Sequence, residues 1–231
     1  NWSRDISTAQ VGHQYQYFLN GNSWKRDPRA RRVTNSNGNS IIYDPWAFDW
    51  GGVSTPMPFR NDAVLYQMHP GTYNAESWIP SSFDKNIERM DHIKNLGVNV
   101  IQLMPVNEFA ADKSWGYNPS DLFAIESALG GPDALKRFVK AAHERGIAVF
   151  ADVVHNHYGP SDLALWQFDG WSENGLGGIY FYNSLDGKAY TWWGNTRPDF
   201  GRSEVRSFIR DHIMMFVDEY RFGGFRWDSM F

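Results

Sequence analysis

The segment GPDALKRFVKAAHERGIAVFADVV, residues 131–154, joins an amphipathic helix to a buried strand. Pro132 stands just inside the start of the helix and Gly146 just past its end, which is the usual placement of these residue types at helix termini. Its apolar positions follow the i, i+3, i+4, i+7 rule of a helix with one buried face: Leu135, Phe138, Val139 and Ala142. The strand at 147–154 is apolar on both faces, which indicates a parallel sheet covered by helices.

The same alternation of strand and helix continues on both sides of this segment. The pattern predicts further strands at 63–69, 98–106 and 224–228, and further helices at 84–96 and 203–221. Their inner helix faces are predicted at Ile87, Met90 and Ile93, and at Val205, Phe208, Ile209, His212 and Phe216. Regular alternation of this kind predicts an α/β fold, either an open doubly wound sheet or a β/α barrel.

Two long loops favour the barrel. They cover residues 105–131 and 158–202, and both follow strands rather than helices. Loops longer than about 12–15 residues are usually functional or disordered, and the second one is too aromatic for disorder. In a β/α barrel the loops that follow strands build the active-site face. The two loops therefore favour a β/α barrel over an open doubly wound sheet for residues 59–231.

Residues 1–58 have a different composition, rich in Asn, Ser, Gly and Arg. We expect Tyr15, Tyr17 and Leu19 to share one strand face, ended by a turn at Asn20–Gly21. Another short strand in SIIYDPW is stopped by Asp44–Pro45, and TPMPF at 55–59 reads as a linker. This part is predicted to be the remnant of a small β module.

Composition excludes several function classes. The chain has 231 residues, a formal net charge of -4 and no cysteine. The charge argues against nucleic acid as the main partner, and the lack of cysteine excludes disulfides, thiol chemistry and cysteine-bound zinc. No stretch approaches the roughly 20 apolar residues that span a bilayer, and no glycine-rich phosphate-binding motif follows the first strand.

Aromatic residues are unusually frequent, at 16% of the chain with 11 Trp. Such rings either fill a core or stack against flat ligand faces such as those of sugars. Composition alone leaves both interpretations open.

Charged residues gather at two predicted strand ends. Asp152 lies in the strand whose end carries His155, Asn156 and His157, and the strand at 224–228 carries Arg226 and Asp228. Because strand residues alternate between faces, Arg226 and Asp228 are expected to point to the same side. A structural ion pair would explain these two alone. Convergence with Asp152 and the histidines favours a catalytic site, since burying that many charges is costly.

Five segments at these positions occur in a recognisable order: LYQMHPGTY (65–73), GVNVIQLMPV (97–106), WGYNP (115–119), DVVHNH (152–157) and GFRWD (224–228). They resemble motifs of the family 13 glycoside hydrolases, the α-amylase family, in its branching-enzyme and trehalohydrolase subgroup. RDPRARRV (26–33) and SIIYDPWAFDW (40–50) resemble the end of the glucan-binding β-sandwich module that precedes the barrel in that subgroup.

The resemblance implies a retaining mechanism on α-linked glucans. Asp228 would be the nucleophile, with Arg226 keeping it ionised and oriented. The residues implied in substrate binding are Asp152, His157, Tyr117, Trp115 and His69. Family members often bind calcium near the position of Asn156, but the subgroup commonly lacks that ion, so neither a metal nor a cofactor is predicted.

The general acid is the part that the resemblance does not supply. Family members take a Glu from strand five and a further Asp from strand seven of a (β/α)8 barrel, of which residues 59–231 would be the first half. Glu108, Asp121 and Glu126 lie in the loop at 105–131, and none matches the motif of the acid. We therefore expect a fragment that is inactive alone, from a parent that acts on α-glucans. The resemblance favours the cytoplasm, and the sequence makes no prediction about oligomeric state.

Three functions remain open from the sequence. The parent hydrolyses α-1,4 bonds, transfers glucan to form α-1,6 branches, or binds glucan without catalysis. New reducing ends, new branch points, or the absence of a Glu after a fifth strand would distinguish them.

Overall fold

The computed structural model describes residues 4–77 and 79–229. Its helices are α1 (Pro70–Tyr73), α2 (Phe83–Ile87), α3 (Met90–Asn95), α4 (Gly131–Glu144) and α5 (Ser203–Asp218). Its strands are β1 (Gln14–Tyr15), β2 (Tyr17–Leu19), β3 (Ser23–Lys25), β4 (Arg32–Val33), β5 (Ser40–Ile41), β6 (Leu65–Met68), β7 (Val100–Leu103), β8 (Asn107–Phe109), β9 (Pro119–Ile125), β10 (Ala148–Val153) and β11 (Gly224–Trp227). Within the two described ranges, every helix is too short or too polar to cross a membrane.

A parallel sheet of four strands forms the centre, in the order β11, β10, β7, β6. The predicted parallel α/β sheet is thus confirmed. The register sets Asp152 of β10 opposite Arg226 of β11, and Phe150 opposite both Gly224 and Gln102. Because partners in register point to the same side of a sheet, Asp152 and Arg226 share a face.

The apolar core lies against the other face of this sheet. The predicted inner face of α4 is fully buried there, at Leu135, Phe138, Val139 and Ala142. It packs in one cluster with alternate strand residues, among them Ile101, Leu103, Val149, Ala151 and Val153. On α5, Val205, Phe208, His212 and Phe216 are buried as predicted, whereas Ile209 is half-buried.

The predicted helix at 84–96 is wrong in one respect, because it is divided into α2 and α3. In an uninterrupted helix the carbonyl of Lys85 would accept from the N–H of Arg89. Instead the side-chain amide of Asn74 donates to that carbonyl at 2.8 Å, and the N–H of Arg89 bonds to Asn86. The apolar face survives the interruption, since Met90 and Ile93 are fully buried.

The segment 105–131, predicted as a loop, contains the antiparallel hairpin of β8 and β9. All seven residues of β9 are buried, so its sequence lacks the alternation that identifies a half-exposed strand. Pro119 occupies its first position, and a proline in a sequence argues against the interior of a strand. The tip of this hairpin, residues 110–118, carries the WGYNP motif.

The N-terminal region forms two small antiparallel sheets, β1–β5–β4 and β2–β3. The single strand face predicted for Tyr15, Tyr17 and Leu19 is wrong, because the chain changes partner at Gln16, from β5 to β3. The predicted turn is confirmed: Asn20 and Gly21 both have positive φ, 54° and 72°, and the N–H of Asn22 donates to the carbonyl of Leu19 at 3.1 Å, as in a type I′ turn.

Burial separates the aromatic residues into two groups. Phe83, Phe138, Phe181, Phe216, Tyr158 and Tyr220 are fully buried and fill the core. Every Trp in the described ranges is half-buried or exposed. The described tryptophans therefore lie mainly at surfaces, and Trp50 and Trp166 pack against the edge of the core.

Candidate active site

The candidate site is built on the carboxyl ends of β10 and β11. Arg226 is at its centre, where a single nitrogen, Nη1, contacts two carboxylates. It lies 2.9 and 2.8 Å from the two oxygens of Asp152, and 2.7 Å from Oδ1 of Asp228. One positive charge thereby holds two negative groups together and offsets their mutual repulsion.

Asp228 is oriented from both sides. Arg226 contacts Oδ1, and the side-chain amide of Asn156 donates to Oδ2 at 3.1 Å. Its backbone N–H donates to the carbonyl of Val153 at 3.0 Å, which extends the pairing of β11 with β10 by one residue. The side chain is 15% exposed. The carboxylate is therefore fixed in orientation yet still open to a ligand.

The side chain of Asp152 is fully buried and accepts hydrogen bonds from two neighbours, Arg226 and Tyr117. Its Oδ2 also accepts a hydrogen bond from the hydroxyl of Tyr117, at 2.9 Å. Burial raises the pKa of Asp152, while the hydrogen bonds from Arg226 and Tyr117 act in the opposite direction. Burial and the bond to Asp152 raise the pKa of Tyr117 to about 12, so this hydroxyl stays protonated and donates.

His157 forms the opposite wall. Its Nδ1 lies 2.5 Å from Oδ1 of Asn156 and its Nε2 3.1 Å from Oδ1 of Asn118. Its ring stacks on Trp193, with 4.9 Å between centroids and 17° between planes. Burial lowers the pKa of His157, although the nearby charge of Asp228 acts to raise it.

These groups enclose an open cavity of about 430 Å³. Its lining residues are Ser114, Trp115, Tyr117, Asn118, His157, Trp193 and Asp228. Among the described residues, Asp228 is the only carboxylate in that lining. The combination of aromatic faces, an amide, an imidazole and one carboxyl group suits a polar ligand with flat apolar faces.

The structure brings together five of the seven predicted site residues: Tyr117, Asp152, His157, Arg226 and Asp228. Trp115 lines the same cavity at its rim and is 73% exposed. His69 is apart from it. Its ring contacts the carbonyl of Ser114 at 2.9 Å and Thr72 Oγ1 at 3.1 Å, and it lines a separate cavity of about 350 Å³.

Glu108 and Glu126 are buried at the base of the β8–β9 hairpin and do not line the site cavity. Ser127 donates to Glu108 through its N–H at 2.7 Å and its hydroxyl at 3.0 Å. Glu126 accepts from the N–H groups of Phe109 and Ala128, at 3.1 and 2.9 Å. Both carboxyl groups thus brace the hairpin rather than face a substrate.

Burial raises the pKa of both groups, of Glu108 to about 8 and of Glu126 to about 7. The charge of Glu126 adds to the shift at Glu108. Between the ordinary value of 4.5 and these values, the folded state holds protons that the unfolded state has released. Stability from this pair is therefore present below about pH 4.5 and declines as the pH rises towards 8.

We predict that Glu108→Gln makes the pH profile of the unfolding free energy rise relative to wild type between about pH 5 and 7, by about 1.4 kcal/mol per pH unit. The variant removes one group that is protonated when folded and ionised when unfolded. Urea denaturation at several pH values measures the slopes. Glu144→Gln, at an exposed carboxylate of α4, controls for the loss of one charge. Parallel profiles for Glu108→Gln and wild type would contradict the prediction.

Comparison with known proteins assigns the family. Residues 80–174 match the family described as alpha amylase, catalytic domain. A malto-oligosyltrehalose trehalohydrolase of Saccharolobus solfataricus is 33% identical over 97% of this chain and 37% of its own length. The chain belongs to the alpha-amylase family. The 1,4-alpha-glucan branching enzyme GlgB of Thiobacillus denitrificans is 29% identical over 99% of this chain and 32% of its own length.

A solved structure agrees with this assignment. The crystal structure of a provisionally named alpha amylase from Salmonella typhimurium superimposes with a TM-score of 0.84 and 31% identity. The match covers 97% of this chain and 36% of the Salmonella chain. The chain thus spans roughly a third of the length of these members of the alpha-amylase family.

Asn156, the position that the family resemblance associates with calcium, is bonded to its neighbours through both of its side-chain polar atoms. Its side-chain oxygen contacts His157, and its amide nitrogen donates to Asp228. In the described part of the chain, no three His, Asp or Glu side chains are grouped in a way that could hold a metal ion.

Two side chains of the site were not predicted from the sequence. Asn118 contacts His157, and it stands in the quoted motif WGYNP next to Tyr117, so the motif could have indicated it. Trp193 stacks on the same ring but is one of several aromatic residues in a long irregular loop. The sequence contains no signal that distinguishes it from Trp192.

Proposed function

We propose that the protein containing this chain is a retaining enzyme that cleaves α-1,4-glucosidic bonds, with Asp228 as the nucleophile. The observation that carries the proposal is the Asp228 carboxylate, held by Arg226 and Asn156 and open to an aromatic-walled cavity. Membership of the alpha-amylase family supports the same chemistry, which needs two carboxyl groups and no cofactor.

In the proposed reaction, an oxygen of Asp228 attacks the anomeric carbon while the bond from that carbon to the glycosidic oxygen breaks. The leaving oxygen takes a proton from a carboxylic acid, and a glycosyl ester remains on Asp228. A water or a sugar hydroxyl then attacks the same carbon and gives its proton to the carboxylate formed in the first step, and the bond from the carbon to Asp228 breaks. Arg226 contacts Oδ1 of Asp228 at 2.7 Å and so fixes the direction of the attacking carboxyl group.

Several neighbouring residues would bind the sugar through different kinds of contact. The rings of Tyr117 and Trp193 offer apolar faces for stacking, and His157 and Asn118 offer polar groups at the same cavity. Both oxygens of Asp152 are already bonded, and its side chain is 0% exposed. We therefore infer that Asp152 acts mainly by ordering Arg226 and Tyr117.

The proposal includes an architecture. We infer that β6, β7, β10 and β11 are the first four strands of a (β/α)8 barrel at 59–231, and that residues 1–58 end a β-sandwich module. Asp228 is the only carboxylate lining the cavity among the described residues. A retaining enzyme needs a second one roughly 5–5.5 Å from the first, so the 231-residue chain is expected to be inactive alone.

The relatives point to two acceptors, water and sugar. One relative is a trehalohydrolase and another is a branching enzyme. The test is to incubate the complete gene product with amylose and with maltooligosaccharides, and to record reducing ends and anomeric proton NMR signals. New reducing ends would support hydrolysis, and α-1,6 signals without them would support branching. Glucan binding with no product under any condition would leave a non-catalytic glucan-binding protein.

We predict that Trp193→Ala weakens maltooligosaccharide binding by about 10-fold or more. The change removes a cavity wall and the ring that stacks on His157, and stacked contacts of this kind are worth about 0.5–1.5 kcal/mol beyond the buried area. Isothermal titration calorimetry measures the affinity. Trp192→Ala is the matched control, because Trp192 is 98% exposed and does not line the cavity. Equal affinities of both variants and wild type would remove Trp193 from the binding surface.

A further inference from the structure

We propose that His212 of α5 is a positioning residue for the site, and that it acts through a directional hydrogen-bond relay from Asn107 to Tyr158. The role of the relay in activity rests on the proposed function. The protonation pattern of the relay can be tested whether or not that function is correct.

The relay is a continuous chain of buried polar groups. Asn107 Nδ2 lies 3.0 Å from His212 Nε2, and His212 Nδ1 lies 3.1 Å from His155 Nε2. His155 Nδ1 lies 3.2 Å from the hydroxyl of Tyr158. His212 is 0% and His155 4% exposed. Aromatic rings surround the two imidazoles, among them Phe123, Phe216 and Trp227.

The first member fixes the direction of the relay. Asn107 Nδ2 also contacts the carbonyl of Leu122 at 2.5 Å, and a carbonyl can only accept. The nitrogen of the Asn107 amide therefore faces His212, and both of its hydrogens are used as donors. His212 Nε2 must accept, so the single proton of the neutral His212 ring is on Nδ1.

The same logic passes to the second ring. His212 donates from Nδ1, so His155 Nε2 accepts and the proton of His155 is on Nδ1, directed to Tyr158. This pattern requires both rings to be neutral. Burial lowers the pKa of His155 to about 3 and also lowers that of His212, where the neighbouring His155 adds to the effect.

The relay joins the three segments that carry the site. Asn107 begins the hairpin whose tip holds Tyr117 and Asn118. His155 directly precedes Asn156 and His157, which contact Asp228 and Asn118. The ring of His155 also packs on Trp227, at 5.6 Å between centroids, and Trp227 ends β11 between Arg226 and Asp228 in the chain.

An apolar pair would fill this space without the cost of burying four polar groups. An apolar pair would not fix the rotation of either ring, whereas the relay does so through directional bonds. We infer that His212 sets the orientation of the segment at 155–157 and thereby the geometry around Asp228.

The first test is long-range proton–nitrogen NMR of the imidazole rings in the wild-type protein. The expected result is a proton on Nδ1 of both His212 and His155 near neutral pH. A proton on Nε2 of His212, directed at the nearby Leu122 carbonyl, would overturn the relay. This measurement needs neither a variant nor a substrate.

The second test compares His212→Phe with His143→Phe in the complete gene product. His143 is also buried, but neither of its ring nitrogens has a partner in the described structure, and it lies on α4 outside the relay. At a temperature where both variants are folded, we expect His212→Phe to lower kcat on α-glucans by about 10- to 100-fold, and His143→Phe to leave it near wild type.

The outcomes distinguish the positioning role of His212 from the proposed function. Equal kcat for His212→Phe and His143→Phe would overturn the positioning role, even if the expected protons are found. Wild-type protein that turns over no glucan would refute the proposed function. The NMR result on the wild-type protein would still decide whether His212 and His155 have the proposed protonation pattern.

Discussion

The Asp228→Asn variant of the complete gene product is expected to lose about 10³- to 10⁶-fold in kcat on α-1,4-glucans. Asparagine has nearly the same shape, so Arg226 can still contact its oxygen. The amide lacks the negative charge that forms the bond to the anomeric carbon, which is the step that Arg226 and Asn156 prepare in the wild type.

The expected pattern separates a nucleophile from a structural carboxylate. Glucan affinity should change far less than kcat, because only one of the cavity-lining groups is altered. Steady-state kinetics on maltooligosaccharides, with a denaturation curve of each protein, makes the comparison. Asp218→Asn, at an exposed carboxylate near the end of α5, is the control for fold and charge. A kcat for Asp228→Asn within a few-fold of wild type would exclude Asp228 as the nucleophile.

Local sequence patterns were sufficient to predict the central sheet and half of the site. The helical spacing of Leu135, Phe138, Val139 and Ala142 predicts a buried face, and all four side chains are buried. Strand alternation predicts that Arg226 and Asp228 point together, and they form an ion pair at 2.7 Å. Such patterns act within a few residues, so a single sequence contains them in full.

Contacts between distant segments were not predictable in the same way. The stacking of His157 on Trp193 depends on the path of an irregular loop. The division of the helix at 84–96 depends on the side chain of Asn74 reaching Lys85. The hairpin of β8 and β9 was missed because β9 is buried on both faces. In each case a partner from elsewhere in the chain decides the structure.

The ion pair between Arg26 and Asp121 is the most consequential of these distant contacts. The two residues are 95 positions apart, and their side chains are 8% and 5% exposed. Two bonds join them, at 2.9 and 3.0 Å, and the hydroxyl of Ser120 donates to Asp121 at 3.1 Å. Burial raises the pKa of Asp121, and Arg26 opposes that shift.

The Arg26→Met variant is expected to lose about 3–5 kcal/mol of unfolding free energy. Methionine fills much of the space but leaves the carboxylate of Asp121 buried without its counter-charge. The carbonyl of Asp162, which also accepts from Arg26, loses a donor as well. Urea denaturation should show a lower midpoint with an unchanged slope.

A matched control is available in the same module. Arg29 pairs with Asp211, but their side chains are 46% and 37% exposed, so Arg29→Met should cost no more than about 1 kcal/mol. The double variant Arg26→Met with Asp121→Leu should regain most of the loss, because no unpaired charge stays buried. Equal effects of Arg26→Met and Arg29→Met would contradict the argument.

The position of this ion pair connects stability to the site. Asp121 lies in β9, directly after the hairpin tip that carries Tyr117 and Asn118. Asp162 lies in the loop that carries Trp193, and its side chain also accepts from Ser36 at 2.9 Å. Arg26 thus ties the N-terminal module to both walls of the cavity. A variant that stays folded at low temperature should therefore bind maltooligosaccharides more weakly than Arg29→Met, which calorimetry on the two proteins would measure.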